Sequence, residues 1–114
     1  HVPLTELSRG WITERELSLM KRTAFLVNTS RGPIIDKSAL LHALQTGQIA
    51  GAALDVYDVE PLPANDPLLK LDNVLLTPHL GYSTVNTIQG FMRLSLENVR
   101  AWLAGSPQNV LNVQ

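Results

Sequence analysis

Three residues of this chain are of types that could together handle a small organic acid: Arg31 in "NTSRG", Glu60 in "DVEP" and His79 in "TPHLG". A guanidinium grips a carboxylate through two parallel hydrogen bonds, which fixes orientation as well as position. A histidine beside a carboxylate stays protonated to higher pH, because the negative charge favours the imidazolium. Such a histidine gives or takes a proton near neutrality. An acid/base pair next to a carboxylate clamp suits a 2-oxo or 2-hydroxy acid.

The elements that must carry these residues can be read from the hydrophobic pattern. "AFLVN" (24–28), the run 51–56 in "GAALDV" and the run 73–77 in "NVLLT" are short apolar stretches, and none alternates as a half-exposed strand does. Continuous apolar strands separated by helices predict a parallel sheet of βαβ units buried on both faces. A helix is expected from Thr13, whose capping box closes on Glu16, to Lys21. A second runs over 36–47, from a capping Asp36 to Gly47, with Ala39, Leu40, Ala43 and Leu44 on one face. "DPLL" reads as a short helical turn with Pro67 at its first position. Ser83 or Thr84 starts a long helix to about Ala104, ended by Gly105.

In an open parallel sheet, ligands sit beyond the carboxyl ends of the strands. Thr29, Ser30 and Arg31 follow the first strand, Asp55, Asp58 and Glu60 the second, and Thr77 and His79 the third. Each has a plainer reading alone. Arg31 could be a solvated charge, Asp58 and Glu60 loop acids, and His79 a turn histidine. Asp36 is most simply a helix cap, His42 a partly exposed helix-face residue, and Trp11 and Trp102 core or interface. Equivalent places on successive βα units are what set Arg31, Glu60 and His79 apart.

Composition narrows the function class. Nine Lys and Arg against ten Asp and Glu leave a net charge of −1, which offers no basic stripe for nucleic acid and no polybasic patch for a membrane. The chain has no cysteine, which excludes disulfides and thiolate metal sites, and no metal site is expected. No apolar run approaches the roughly 20 residues of a membrane helix. A cytoplasmic protein is expected. "HVPLTELSRGWIT" opens without Met or a signal peptide, which reads as a piece of a longer chain.

The ordered motifs "HVPLT", "LMKRTAFLVNTSRGPIID", "QIAGAALDVYDVEPLP" and "PLLKLDNVLLTPHLG" closely resemble the NAD(P)-dependent D-isomer-specific 2-hydroxyacid dehydrogenases, D-3-phosphoglycerate dehydrogenase-like members included. The resemblance runs from His1 to about Thr84. It implies a Rossmann-like doubly wound α/β fold, with residues 1–104 the C-terminal part of an NAD-binding domain and 105–114 a tail returning toward a substrate domain. Catalysis would fall to Arg31 as substrate clamp, His79 as acid and base, and Glu60 as its partner. NAD, or NADP in its place, would meet Val2, Thr29, Ser30, Arg31, Asp55 at the nicotinamide carboxamide, His79 and Gly81.

The family's G-x-G-x-x-G turn and following acid are not in this chain, whose glycines stand at 10, 32, 47, 51, 81, 90 and 105; the phosphate cradle is expected before His1. "VNTIQGFM" lacks the acid found near there in many members. The resemblance thus implies hydride transfer between NAD(P)(H) and a D-2-hydroxy acid. In the family's sheet order "AFLVN" lies beside a strand that would end before His1, so its edge is left unpaired and a homo-oligomer, a dimer or larger, is expected. The rivals are a corepressor-type module using NAD(H) as effector and an inactive fragment. Arg31, Glu60 and His79 occurring together favours the enzyme, since pure binding does not need the trio.

Overall fold

The computed structural model describes residues 1–111, in two compact units, His1–Leu80 and the residues from Gly81 on. The first unit holds α1 (Glu14–Ser18), β1 (Phe25–Asn28), α2 (Lys37–Gln45), β2 (Gly51–Leu54) and β3 (Val74–Leu76), with 3-10 turns at Gly32–Ile34 and Pro67–Lys70. The strands form one parallel sheet in the order β1-β2-β3. It has the expected α/β character.

The helix signals act largely as expected. Thr13 and Glu16 form the capping box, with the Thr13 amide 3.0 Å from Glu16 Oε2. α1 nevertheless stops at Ser18, short of Lys21. The Ser18 hydroxyl donates to the Arg15 carbonyl, and the Leu19 amide turns to Glu16 at 3.2 Å. That competition closes the helix as a 3-10 turn. α2 begins where Asp36 accepts the Ala39 amide. It ends with Gly47 at φ +65° while Gln48 donates to Ala43 and Gly47 to Leu44, a Schellman closure. Pro67 sits in the first turn of its 3-10 segment, capped by Asp66.

Only one face of the sheet is covered within this unit. Ala52 and Leu54 point into a core with Leu17, Leu40, Ala43, Leu44, Ile49 and Leu68. On the opposite face Phe25, Val27 and Leu75 are 70%, 67% and 65% exposed. The expectation of burial on both faces therefore fails among the described residues. α1 and α2 pack together over one face, and nothing in the unit supplies the second layer that continuous apolar strands call for. Trp11 is also exposed rather than core, while His42 and Asp58 are exposed as read.

The second unit is α3 (Val85–Leu103), capped by Thr84 and followed by Gly105 at φ +73°. Its apolar stripe, with Ile88, Phe91, Val99 and Trp102, is exposed along its length, and no α3 residue is buried. Trp102 is thus not a core residue among the described residues. The tail expected over 105–114 is irregular through residue 111, and residues 112–114 lie outside the described residues.

Gly51 is required where β2 meets the turn before β3. A Cβ there would stand 2.5 Å from the Asn73 carbonyl oxygen, itself the acceptor of the Ala52 amide at 3.0 Å. Gly51→Ala is expected to push β2 from β3 and destabilise the chain by about 1–3 kcal/mol, the usual cost of overpacking. Urea denaturation checks this; a midpoint equal to that of the unsubstituted chain would show that the contact relaxes freely.

Candidate functional site

The site begins at the end of β1, where a buried Asn28 wraps the backbone around its own side chain. Its Oδ1 accepts the Ser30 amide at 3.0 Å and its Nδ2 donates to the Arg31 carbonyl at 3.0 Å. This local turn is the kind that short amide side chains favour. It leaves Arg31 exposed, its guanidinium donating to the Ser30 carbonyl at 2.7 Å. The Ser30 hydroxyl donates to the Val2 carbonyl at 2.7 Å, and Thr29 Oγ1 lies 3.3 Å from His1 Nε2. Val2, Thr29, Ser30 and Arg31 therefore line one cavity of about 560 Å³. The sequence groups these four residues, and the fold brings them together.

The end of β2 supplies Asp55 and the loop to Glu60. Asp55 is only 5% exposed, and its Oδ1 accepts the Thr77 hydroxyl at 2.5 Å and the Leu80 amide at 2.7 Å. A carboxylate can be buried when such donors satisfy it. It ties the end of β2 to the turn that bears His79. Two residues on, the Tyr57 amide donates to Glu60 Oε1 at 2.9 Å.

The end of β3 supplies His79. Its Nδ1 lies 2.7 Å from Glu60 Oε2, and both side chains are about one-third exposed. The His79 backbone is left-handed, with φ +57°, and its amide donates to the Thr77 carbonyl at 3.0 Å. Positive φ is uncommon outside glycine, though histidine is among the residues enriched there. The hydrogen bond from His79 holds the Glu60 carboxyl below its ordinary value, helped by the Tyr57 amide and, more weakly, by the charges of His79 and Arg31.

Arg31, Glu60 and His79 thus stand at one edge of one sheet, as their places after the strands suggested. Gly81 opens the second unit. Sequence reasoning misses two contributors, Asn28 and Tyr57. Asn28 carries a signal: a polar residue ending an apolar run, just where a strand must hand over to a turn. Tyr57 carries none, because a phenol in a loop looks like ordinary filler. Among the described residues, no cluster of three or more His, Asp or Glu is placed to hold a metal ion.

The chain is similar to known proteins of one family and one fold. Residues 1–81 match the model of the D-isomer specific 2-hydroxyacid dehydrogenase, NAD binding domain. A glyoxylate reductase of Thermofilum pendens is 50% identical over 105 residues, covering 92% of this chain and 31% of that protein. The crystal structure of the TT0316 protein from Thermus thermophilus superposes with a TM-score of 0.90 at 41% identity, over 98% of this chain and 36% of that one. A D-isomer specific 2-hydroxyacid dehydrogenase from Lactobacillus delbrueckii ssp. bulgaricus, solved in its NAD complexed form, gives a TM-score of 0.82 at 32% identity, over 98% of this chain and 38% of that one. The chain spans about a third of the length of the first curated relatives it matches.

The lowered Glu60 pKa sets a pH window for stability. Because the folded value lies below the ordinary carboxylate value of 4.5, the stabilisation is fully present above that pH and is lost as pH falls through the depressed value. Glu60→Gln lacks this contribution at every pH. Thermal melts of the two forms are expected to differ most above pH 4.5 and to converge in more acid solution. A gap that widens on acidification would contradict the pairing.

Proposed function

This chain belongs to the D-isomer specific 2-hydroxyacid dehydrogenase family, and we propose that it supplies the catalytic edge of an enzyme that interconverts a small 2-oxo acid and its D-2-hydroxy acid with NAD(P)(H). The Glu60–His79 pair, on the same sheet edge as Arg31, carries the proposal. Bound NAD(P)(H) would supply or accept the hydride. His79 gives a proton to the substrate oxygen in reduction and takes it back in oxidation. With Nδ1 facing Glu60, that proton is exchanged at Nε2. Arg31 binds the substrate carboxylate and carbonyl oxygen, and Glu60 orients the imidazole through the bond to Nδ1.

The residues present fit one end of the cofactor. Val2, Thr29, Ser30 and Arg31 border a cavity of about 560 Å³ beside the reacting edge, which suits the nicotinamide and its ribose. Asp55 is assigned to the carboxamide and the turn from His79 to Gly81 to the cofactor wall. The pyrophosphate would be held by a glycine-rich turn outside these 114 residues. On this reading residues 1–104 are part of the NAD(P)-binding domain and 105–114 lead to a substrate domain. A cytoplasmic location fits a chain in which no helix among the described residues is long and apolar enough to cross a membrane.

The partner proposed is a second copy of the chain. β1 is an edge strand of the sheet, and Phe25, Val27 and Leu75 leave one sheet face bare. An unpaired edge is a template for another chain, and a bare apolar face favours association. The 114-residue chain is expected to sediment as a dimer or larger. A well-folded monomer at high concentration would remove this part of the proposal.

Two substitutions in the full-length polypeptide bearing this sequence test the chemistry, and they are expected to fail differently. His79→Gln should lower kcat by about 10²–10⁴-fold, the usual worth of general acid–base catalysis. Arg31→Ala should raise KM and lower kcat/KM together, since binding and orientation go at once. Steady-state kinetics on a panel of short 2-oxo acids reads both. Full activity in His79→Gln would refute the role given to His79, whereas no turnover in the unsubstituted polypeptide would favour the binding-module reading.

A further inference from the structure

We propose that Tyr57 is a positioning residue of this site, with contacts to each of the loops bearing Arg31, Glu60 and His79. The assignment rests on the reading of those three as the binding and reacting groups. Three separate parts of Tyr57 reach three separate loops.

The amide fixes Glu60. It donates to Oε1 at 2.9 Å, which leaves Oε2 directed at His79 Nδ1 at 2.7 Å. The carboxylate is thus held at both oxygens, and its orientation toward the imidazole is set by the Tyr57 backbone.

The hydroxyl fixes the ends of two strands. Its oxygen lies 3.0 Å from the Leu54 carbonyl and 2.8 Å from the Thr77 carbonyl, so its one proton is shared by the two acceptors. Leu54 precedes the buried Asp55. The Thr77 carbonyl also accepts the His79 amide at 3.0 Å, within the turn that holds His79 left-handed. A hydroxyl anchoring that carbonyl steadies a backbone conformation that histidine seldom adopts.

The carbonyl fixes the arginine turn. A Cβ on Gly32 would fall 2.1 Å from the Tyr57 carbonyl carbon and 2.6 Å from the Asp58 nitrogen. The residue after Arg31 therefore lies flat against this peptide, an approach only glycine allows. Partial burial, with the nearby Asp55 and Glu60 carboxylates adding to it, pushes the Tyr57 phenol up, so it stays a donor across the working pH range. A phenylalanine would fill the same space against the core without the hydroxyl bonds, which is what separates positioning from packing.

The test is Tyr57→Phe in the full-length polypeptide, beside Glu60→Gln and His79→Gln. Tyr57→Phe is expected to lower kcat about tenfold, the order of one lost neutral hydrogen bond expressed in the barrier. Substrate KM should stay within about twofold, because the Gly32 contact is to backbone that the variant keeps. Loss of the hydroxyl at the Thr77 carbonyl frees the His79 turn, so the imidazole drifts from Glu60 and the pH–rate profile should move toward that of Glu60→Gln, which a merely structural role would not produce. A folded Tyr57→Phe with wild-type kcat and profile, beside a crippled His79→Gln, overturns the positioning role and leaves the catalytic reading intact. Full activity in His79→Gln sinks the catalytic reading instead, and the 114-residue chain then decides on Tyr57 alone. There the His79 imidazole ¹⁵N shifts should move in Tyr57→Phe; unmoved shifts overturn the role. Should Tyr57→Phe not fold, the unsubstituted chain answers: a hydroxyl proton held by two carbonyls exchanges slowly, and rapid exchange with water overturns the proposal.

Discussion

The parallel register of three short strands is the constraint on which the site depends. Asn28, Leu54 and Leu76 occupy one row of the sheet, so the chain leaves all three strands at the same edge and in the same direction. Parallel pairing makes this unavoidable, because every crossover returns the chain to the opposite edge before the next strand begins. Arg31, Glu60 and His79 are separated by 29 and 19 positions in sequence. They become neighbours because each is within a few residues of that row. A one-residue slip of β3 would turn Leu76 and Val74 away from the covered face, so the apolar core enforces the register that the polar edge uses.

Beyond the row, polar side chains rather than apolar packing determine where the chain goes. Asn28 closes the first turn, and Asp55 binds the third strand's turn through Thr77 and Leu80. Asp66, also buried, caps its own 3-10 turn and pairs with Lys37 at the start of α2. Among the described residues, no fully buried side-chain nitrogen or oxygen lacks a partner. Hydrogen bonds to a charged group contribute roughly 1.5–3 kcal/mol each, and leaving a buried carboxylate unpaired costs more. Each acid is therefore both a tether and a penalty against alternative loop paths.

How much of this was legible in the sequence follows from the range of the forces involved. Caps at Thr13, Asp36 and Thr84 and glycine stops at Gly47 and Gly105 act within one turn, and a reader of the sequence can place them. The apolar runs gave β1, β2 and β3 to within two residues, and with them the shared edge. The early end of α1 was hidden, because whether the Ser18 hydroxyl takes the Arg15 carbonyl depends on a rotamer. The bare face was hidden too: a continuous apolar run states that both faces want cover, and not whether cover is present. Gly32 read as a turn glycine, whereas its lack of a Cβ serves the approach of Tyr57 across 25 residues. Long-range steric needs leave no local pattern.

The difference between what is closed and what is open in this unit has a physical consequence. The Glu60–His79 bond, the Tyr57 amide on Glu60 and the bonds that shape the turn of Arg31 lie within His1–Leu80. The bare sheet face, by contrast, is far from satisfied. Polar geometry at the edge is set by bonds that are short and directional, whereas covering the face needs only apolar surface of the right extent, which is non-directional. The edge can therefore be preorganised independently of whatever finally covers the sheet. That separation suits a site that must hold an imidazole, a carboxylate and a guanidinium in fixed relation, because reorganising charged groups at the moment of reaction is what preorganisation avoids.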